Sequence, residues 1–282
     1  MRALAFIAAV LVSSAAFAQA EPPLEIGKRY AISIHRESEQ RSSDGGSSTS
    51  SDRYGWTEQV IARTDAGLEL EYDLPAGATA EDRAREWQFP ARVLKPSIGP
   101  LQLLNRAELE VRVESWLQRA KWTRAACGRW IFTWNAFRIE CDPQSVIATL
   151  EALDLRPGDL RDGALYRDAK AREPVVLITK SSGPDGTTFG ATLPIDPMLV
   201  RRERAEADVV VGEIMGKPAT LDAALVAHSA EEVSGTIEVS IEVHSSGLLR
   251  RRTKITKLEI KTPGGAVETA QTTETLERKM IE

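Results

Sequence analysis

The feature that most constrains the fold is a strict alternation of apolar and polar side chains near the C-terminus. Residues 237–243 read IEVSIEV, so every second side chain is apolar. Successive side chains of a strand point to opposite faces of a sheet, and the pattern therefore predicts a strand with one buried and one solvated face. A hairpin loop at residues 245–247 and a Thr-rich strand from Val267 to about Leu276 complete a predicted antiparallel meander.

The register of this meander assigns a face to Arg251. If residues 245–247 form a three-residue loop, Glu242 lies opposite Arg250 as a pair of opposite charges. Arg251 is then the one charged side chain on the apolar face. We consider it as an anchor for the acidic head group of a ligand. The simpler interpretation is that it reaches solvent or pairs with Glu274 on the last strand.

A second meander is predicted near the N-terminus. Residues 30–34 alternate in the same way, and a hairpin loop at residues 65–67 sets Val60 opposite Tyr72 on an apolar face. The segment 41–52 reads RSSDGGSSTSSD, which has the composition of a solvated loop. The two meanders are expected to lie on either side of a helical middle.

Capping residues mark three helix starts in that middle. Asn105, with Glu108 three residues later, predicts a capping box and an amphipathic helix to about Lys121. Asp142-Pro143 and Asp196-Pro197 each place a capping side chain before a proline, whose missing N–H costs nothing in the first turn. The helix after Asp142 has an apolar stripe that consists of Val146, Ile147, Leu150 and Leu153.

Both cysteines lie in one stretch, at Cys127 and Cys141. Two cysteines in an exported protein most often form a disulfide, and closing a loop of about 15 residues would add about 3 kcal/mol on the chain-entropy model. Two free thiols are the less favoured alternative. A zinc site is the weakest interpretation, because no histidine lies near enough in sequence to complete it.

The same stretch contains an aromatic stripe that competes with the cysteines for the hairpin register. A turn at residues 135–136 places Trp130, Phe132 and Trp134 on one face, whereas the register that sets the cysteines opposite each other scatters them. Because burial of several aromatic rings should outweigh one cross-link, we expect the aromatic register, with a bend at Gly128. Trp130 and Trp134 are candidates for a carbohydrate or lipid platform, although such stripes more often belong to a core.

Residues 1–20 have the layout of a secretory signal peptide: Arg2, an apolar run, and small residues that end in Ala18-Gln19-Ala20. We expect this peptide to be removed and the mature chain to be periplasmic or secreted, not an integral membrane protein. Without Arg2, acidic residues outnumber basic ones by six. A negative surface does not favour nucleic-acid binding.

The sequence contains no catalytic or metal-binding motif. His35, His228 and His244 lie in no metal-binding spacing, and SSGPDG at residues 181–186 is explained by a turn. Acidic pairs such as Glu231-Glu232 are interpreted as solvated surface. We therefore predict no metal, no cofactor and no catalytic residue.

The sequence predicts an α+β fold in which a curved antiparallel β-sheet, formed by the N- and C-terminal meanders, is packed on central helices. Residues 21–282 are expected to form a single exported domain, with residues 155–173 as the best boundary if there are two. A curved sheet that holds helices resembles, in architecture, the exported lipoprotein carriers.

Three hypotheses for function remain open. The first is a non-enzymatic protein that binds an apolar or amphiphilic, lipid-like ligand or an envelope partner protein. The second is a hydrolase with a catalytic site assembled from distant residues. The third is a structural or assembly factor of the cell envelope.

Overall fold

The computed structural model describes residues 25–96, 99–132, 136–153 and 160–281. The predicted signal peptide and Trp134 lie outside the described residues. The strands are β1 (Arg29–Ser42), β2 (Ser47–Thr64), β3 (Gly67–Asp73), β4 (Ala91–Pro96), β5 (Gln102–Leu103), β6 (Trp130–Phe132), β7 (Ala136–Arg138), β8 (Leu165–Tyr166), β9 (Val175–Val176), β10 (Ile178–Gly183), β11 (Gly186–Pro194), β12 (Glu232–His244), β13 (Leu249–Lys261) and β14 (Val267–Met280). The helices are α1 (Ala80–Arg85), α2 (Arg106–Ala120), α3 (Val146–Leu153), α4 (Pro197–Ile214) and α5 (Leu221–His228).

A ten-stranded antiparallel sheet joins the two ends of the chain. Its strand order is β10-β11-β12-β13-β14-β1-β2-β3-β4-β5. The two predicted meanders meet where β1 pairs with β14, from Tyr30 opposite Met280 to Ser42 opposite Glu268. The prediction of an antiparallel sheet combined with helices is therefore confirmed, and the two meanders form one sheet.

The sheet has an inner face, defined here as the face that carries Ile32, Ile237 and Leu276. The pairings place buried side chains of all its long strands on this face, and these belong to the same core as buried residues of α2 and α3. The outer face, on which Glu238 and Thr275 lie, is polar and charged. The predicted alternation of residues 237–243 is thus confirmed, since Ile237, Val239 and Ile241 are buried.

Two N-terminal predictions are wrong. The segment predicted as a loop is largely strand, because β1 runs to Ser42 and β2 begins at Ser47, with a turn between them. Backbone hydrogen bonds from β2 and β14 on the two sides of β1 outweigh the weak strand preference of Ser and Gly. The next hairpin pairs Thr64 with Gly67, and a bulge then sets Val60 opposite Leu70 instead of Tyr72.

The three helix starts are found where the sequence predicts them, with one change in chemistry. Asp142 and Asp196 accept hydrogen bonds from backbone N–H groups as N-caps. Asn105 precedes α2 but makes no cap hydrogen bond, so the predicted capping box is wrong. Its Oδ1 instead accepts from the backbone N–H of Arg92 at 2.9 Å, and its Nδ2 donates to the Pro90 carbonyl at 3.1 Å. The side chain therefore ties α2 to β4.

The predicted register of the C-terminal hairpin is wrong beyond its first pair. Val243 lies opposite Leu249, as the three-residue loop at 245–247 requires, but a bulge follows and sets Glu242 opposite Arg251 instead of Arg250. One extra residue changes the face of every later side chain on the strand. Arg251 consequently lies on the outer face. Its guanidinium bonds to Glu277 and lies 3.5 Å from Glu242.

The central hairpin adopts the register that sets the two cysteines opposite each other, not the register predicted from the aromatic residues. Trp130 pairs with Arg138, and the cysteines lie opposite each other in a disulfide with Cα atoms 5.7 Å apart. The disulfide prediction is confirmed and the aromatic register is wrong. The burial argument fails because Phe137 is exposed and Trp130 is only partly buried. Gly128 does take a left-handed conformation, with φ 80°.

Candidate functional site

An open groove lies on the inner face between the sheet and α4. Its volume is about 360 Å³. The floor consists of apolar side chains from β13 and β14, and α4 contributes one wall through Arg204. The rim is formed by the tip of the β1–β2 hairpin. The lining residues are Gln40, Arg41, Ser42, Gly46, Ser47, Ser48, Arg204, Leu258, Ile260, Glu268, Thr269 and Ala270.

The centre of the inner face is charged. Arg36 donates to Glu274 at 2.6 Å, and Arg252 lies 3.7 Å from the other oxygen of the same carboxylate. Lys254 lies 3.3 Å from Asp168, which is in the loop after β8 and has a side chain only 8% exposed. Burial raises the pKa of Glu274, but the Arg36 hydrogen bond and the nearby cations outweigh it and hold that pKa below the ordinary range. The carboxylate is therefore ionised.

Hydroxyl side chains separate this charged centre from the groove. The pairings place Ser38, Ser50, Thr256 and Thr272 side by side on the inner face, and Thr272 Oγ1 donates to Ser38 Oγ at 3.4 Å. The inner face thus changes along the strands from an apolar core, through charged and hydroxyl groups, to a groove with an apolar floor. A ligand with both apolar and polar parts would meet matching surfaces along this path.

A chain of alternating charges attaches the α4–α5 helical hairpin to the sheet. His228 lies between two carboxylates, with Nε2 2.8 Å from Asp208 and Nδ1 2.9 Å from Glu231. Glu231 lies 3.2 Å from Arg204, without the alignment of a hydrogen bond, and Arg204 donates to Glu268 on β14 at 2.7 Å. The chain therefore runs from α5 to the wall of the groove.

Sequence reasoning missed this chain of alternating charges. Glu231, predicted as solvated surface, is only 5% exposed. The helix α5 was not predicted, although Thr220 caps it by accepting a hydrogen bond from the backbone N–H of Ala223. An N-cap threonine before LDAALVAH is a signal that could have placed His228 at the end of a helix.

The predicted ligand residues are not brought into one site. Arg251 is on the outer face, beside a depression of about 560 Å³ that Glu242 and Glu277 also line. Trp130 is in the β6–β7 hairpin, which contacts α4. Trp134 lies outside the described residues. The ligand roles of these three residues stay predictions.

The described residues contain Ser–His pairs without the third member of a catalytic triad. His35 Nε2 lies 3.2 Å from Ser51 Oγ, but the nearest carboxylate, Glu37, approaches the same ring nitrogen at 3.5 Å and does not orient Nδ1. His244 contacts Ser246 through a turn. At His228 both ring nitrogens face carboxylates, so neither can accept a proton from a nucleophile.

A buried ion pair lies on the inner face near the covered core. Arg278 donates to Glu58, and Tyr72 donates to the same carboxylate at 2.8 Å. The guanidinium stacks 4.0 Å from the centre of the Tyr30 ring. Because this group is closed to solvent, we regard it as a structural link between β14, β1, β2 and β3.

No group of three side chains suited to a metal ion occurs in the described ranges. Among these residues, no helix is both long and apolar enough to cross a bilayer.

Comparisons with known proteins do not assign the chain to a family. No family model matches it, and no curated protein matches it. It is similar to a solved structure titled "Lipid-protein interactions in lipovitellin", with a TM-score of 0.42 and 8% identity, over 92% of this chain and 25% of that one. The chain therefore spans about a quarter of that protein's length. A likeness at this level assigns neither a fold nor a ligand.

Proposed function

We propose that this chain is an exported, non-enzymatic protein that binds an amphiphilic ligand in the groove between the sheet and α4. The observation that carries the proposal is the contrast between the floor and the rim of the groove. Leu258, Ile260 and Ala270 offer an apolar surface, while Gln40 and Ser48 offer hydrogen-bonding groups beside it on the same face of the sheet. An alkyl chain on the floor and a polar head at the rim would leave neither part unmatched.

The size of the groove limits the ligand. Its volume of about 360 Å³ lies near the lower end of the range of about 300–1,000 Å³ that small-molecule sites occupy. This favours one extended alkyl chain over a lipid with several chains. The hydroxyl groups of Ser38 and Thr272 continue from the groove and suit a polar, uncharged part of the same ligand.

Export is part of the proposal. The disulfide between Cys127 and Cys141 supports an oxidising compartment. The first 20 residues have the composition of a signal peptide, and we propose that their removal leaves residues 21–282 as one domain in the periplasm, its sheet packed on α2 and α3.

A pair of tryptophan variants tests the site. Ala270→Trp fills the groove from its floor, and Thr275→Trp adds the same side chain to the outer face of the same strand. Binding of a fluorescent fatty acid with a single alkyl chain should weaken at least about tenfold in Ala270→Trp and stay unchanged in Thr275→Trp. Circular dichroism establishes that both variants fold.

Two results would reject the proposal. One is equal binding by wild type and Ala270→Trp. The other is the absence of wild-type binding to single-chain fatty acids and lysophospholipids, together with no ligand retained in native mass spectrometry. A smaller change, Leu258→Ser, gives an independent answer if Ala270→Trp fails to fold.

A further inference from the structure

The α4–α5 hairpin has little apolar attachment to the rest of the protein. Its buried residues are Val200 and Ala205 in α4 and Ala224 in α5. Met215 near its tip is 66% exposed and Val226 on α5 is 72% exposed. Ionic contacts must therefore contribute much of what fixes its position.

The contacts of His228 fit a doubly protonated ring. A carboxylate oxygen only accepts hydrogen bonds, so each ring nitrogen that faces one must carry a proton. Neutral histidine has one N–H and would place a lone pair against either Asp208 or Glu231. With both carboxylates ionised, this geometry fits the imidazolium, and loss of its charge must break one of the two contacts.

The charges around His228 come from each element that packs on it. Asp208 is on α4, Glu231 precedes β12, and Arg204 on α4 lies between Glu231 and Glu268 of β14. Arg201 on α4 donates to the backbone carbonyl of Glu231 at 2.6 Å. Three carboxylates therefore surround Arg204 and His228, and a neutral His228 leaves negative charge in excess.

We propose that His228 is a proton-controlled latch that fixes the α4–α5 hairpin against the sheet and loosens it when the ring becomes neutral. Arg204 on α4 forms one wall of the groove, so the latch sets how firmly that wall is held in place. Its role in ligand binding rests on the proposed function; the movement of the hairpin does not.

The direction of the pH response follows from the same contacts. Burial lowers the pKa of His228, but the hydrogen bonds to Glu231 and Asp208 outweigh it and raise that pKa above its ordinary value of 6.5. The latch is therefore closed at pH values below the ordinary pKa of histidine, and it opens as pH rises through the raised pKa.

A distance measurement in the ligand-free protein tests the latch. Nitroxide labels are placed at Met215→Cys, near the hairpin tip, and at Thr273→Cys, on the outer face of β14. The distance between them, measured by double electron–electron resonance, reports the position of the hairpin. We expect one narrow distance distribution at about pH 5.5 and a broader one at about pH 9. His228→Gln should give the broad distribution at both values, since glutamine stays neutral.

Two further variants sharpen the result. His228→Arg keeps a charge that can reach both carboxylates and should give the narrow distribution at both pH values. His244→Gln, in a remote turn, should leave the wild-type response intact. The latch is rejected if the wild-type distribution does not change with pH, or if the change persists in His228→Gln.

Binding of the fluorescent fatty acid at the same two pH values separates the two proposals. A hairpin that responds to pH in a protein that binds no probe keeps the latch and rejects the proposed function. Binding that Ala270→Trp abolishes, with a hairpin that does not respond to pH, keeps the function and rejects the latch.

Discussion

Strands β1 and β14 run through two regions that differ in how they are covered. Around Ile32 and Leu276, their inner face belongs to the apolar core that α2 and α3 share. Around Gln40 and Ala270, the same strands border an open groove, and α4 reaches them through the ion pair of Arg204 with Glu268.

The difference separates stability from function. Apolar burial, which is insensitive to pH, provides most of the attachment in the first region together with the buried Arg278–Glu58 pair, whereas the second region is held mainly by ionic contacts that depend on protonation. We therefore expect variants in the covered region to lower the stability of the whole protein. Variants in the open region should change its ligand binding and the position of its hairpin.

The largest effect is expected from the buried pair of the covered region. Arg278→Met removes the partner of Glu58 and leaves a carboxylate uncompensated in the core, which should lower the free energy of unfolding by about 3–5 kcal/mol. Urea denaturation measures the change. The double variant Glu58→Gln/Arg278→Met should lose less than Arg278→Met alone, and Lys279→Met next to it in sequence should lose almost nothing. Equal stability of Arg278→Met and wild type would show that the covered region does not depend on this link.

The second largest loss of stability is expected from removal of the disulfide. The variant Cys127→Ser/Cys141→Ser should unfold at a free energy about 3 kcal/mol lower, because the unfolded chain gains the entropy of an open loop. Thermal denaturation with and without reductant measures it: the reductant should destabilise the wild type and leave the variant unchanged. A wild type that reductant does not destabilise would contradict this.

A smaller effect, lost in acid, is expected at the charged centre. The lowered pKa of Glu274 means that its contribution is present above its ordinary pKa and is lost as pH falls through the folded-state value. Glu274→Gln should therefore be about 1–3 kcal/mol less stable than wild type at neutral pH, and the difference should vanish in acid. Denaturation curves across the pH range measure this. A difference in the free energy of unfolding between the variant and the wild type that stayed constant with pH would refute it.

The open region should respond to pH in the opposite direction. Because the pKa of His228 is raised, its contribution is complete below its ordinary value and disappears as pH rises through the folded-state value. His228→Gln should cost about 1–2 kcal/mol in acid and nothing at alkaline pH. Denaturation curves across the same pH range measure this difference. If the stability losses of His228→Gln and Glu274→Gln changed in the same direction with pH, the contrast between the two regions would be wrong.

The smallest effect is expected on the exposed side of the hairpin. Val226→Ser should change the free energy of unfolding by less than about 0.5 kcal/mol, because the side chain has few contacts to lose. Leu70→Ala in the covered core is the reference and should cost about 2–5 kcal/mol. A loss of several kcal/mol in Val226→Ser would indicate that this surface is covered in solution.

The sequence predicts the local elements of this fold well. The signals for two helix starts, Asp142-Pro143 and Asp196-Pro197, each lie within a few residues of sequence. The alternation of residues 237–243 likewise defines a buried face. These features depend on neighbours in the chain, so the physics that produces them is visible in a short window.

Features that depend on distant residues could not be predicted in the same way. A single bulge between the pairs Val243–Leu249 and Glu242–Arg251 moves Arg251 to the outer face. No residue type in the loop specifies this bulge. His228, Asp208 and Glu231 lie up to 23 positions apart and meet only because α5 folds back on α4. The candidate site is thus a product of tertiary pairing.

The most direct test of the central claim is the location of a bound ligand. A fatty acid of about 16 carbons with a photoreactive diazirine on its chain, bound and irradiated, should attach to the floor of the groove. Peptide mapping is predicted to find the label on β13 and β14 around Leu258 and Ala270, and Ala270→Trp should remove it. Labelling confined to the outer face, or labelling that Ala270→Trp leaves unchanged, would contradict the account.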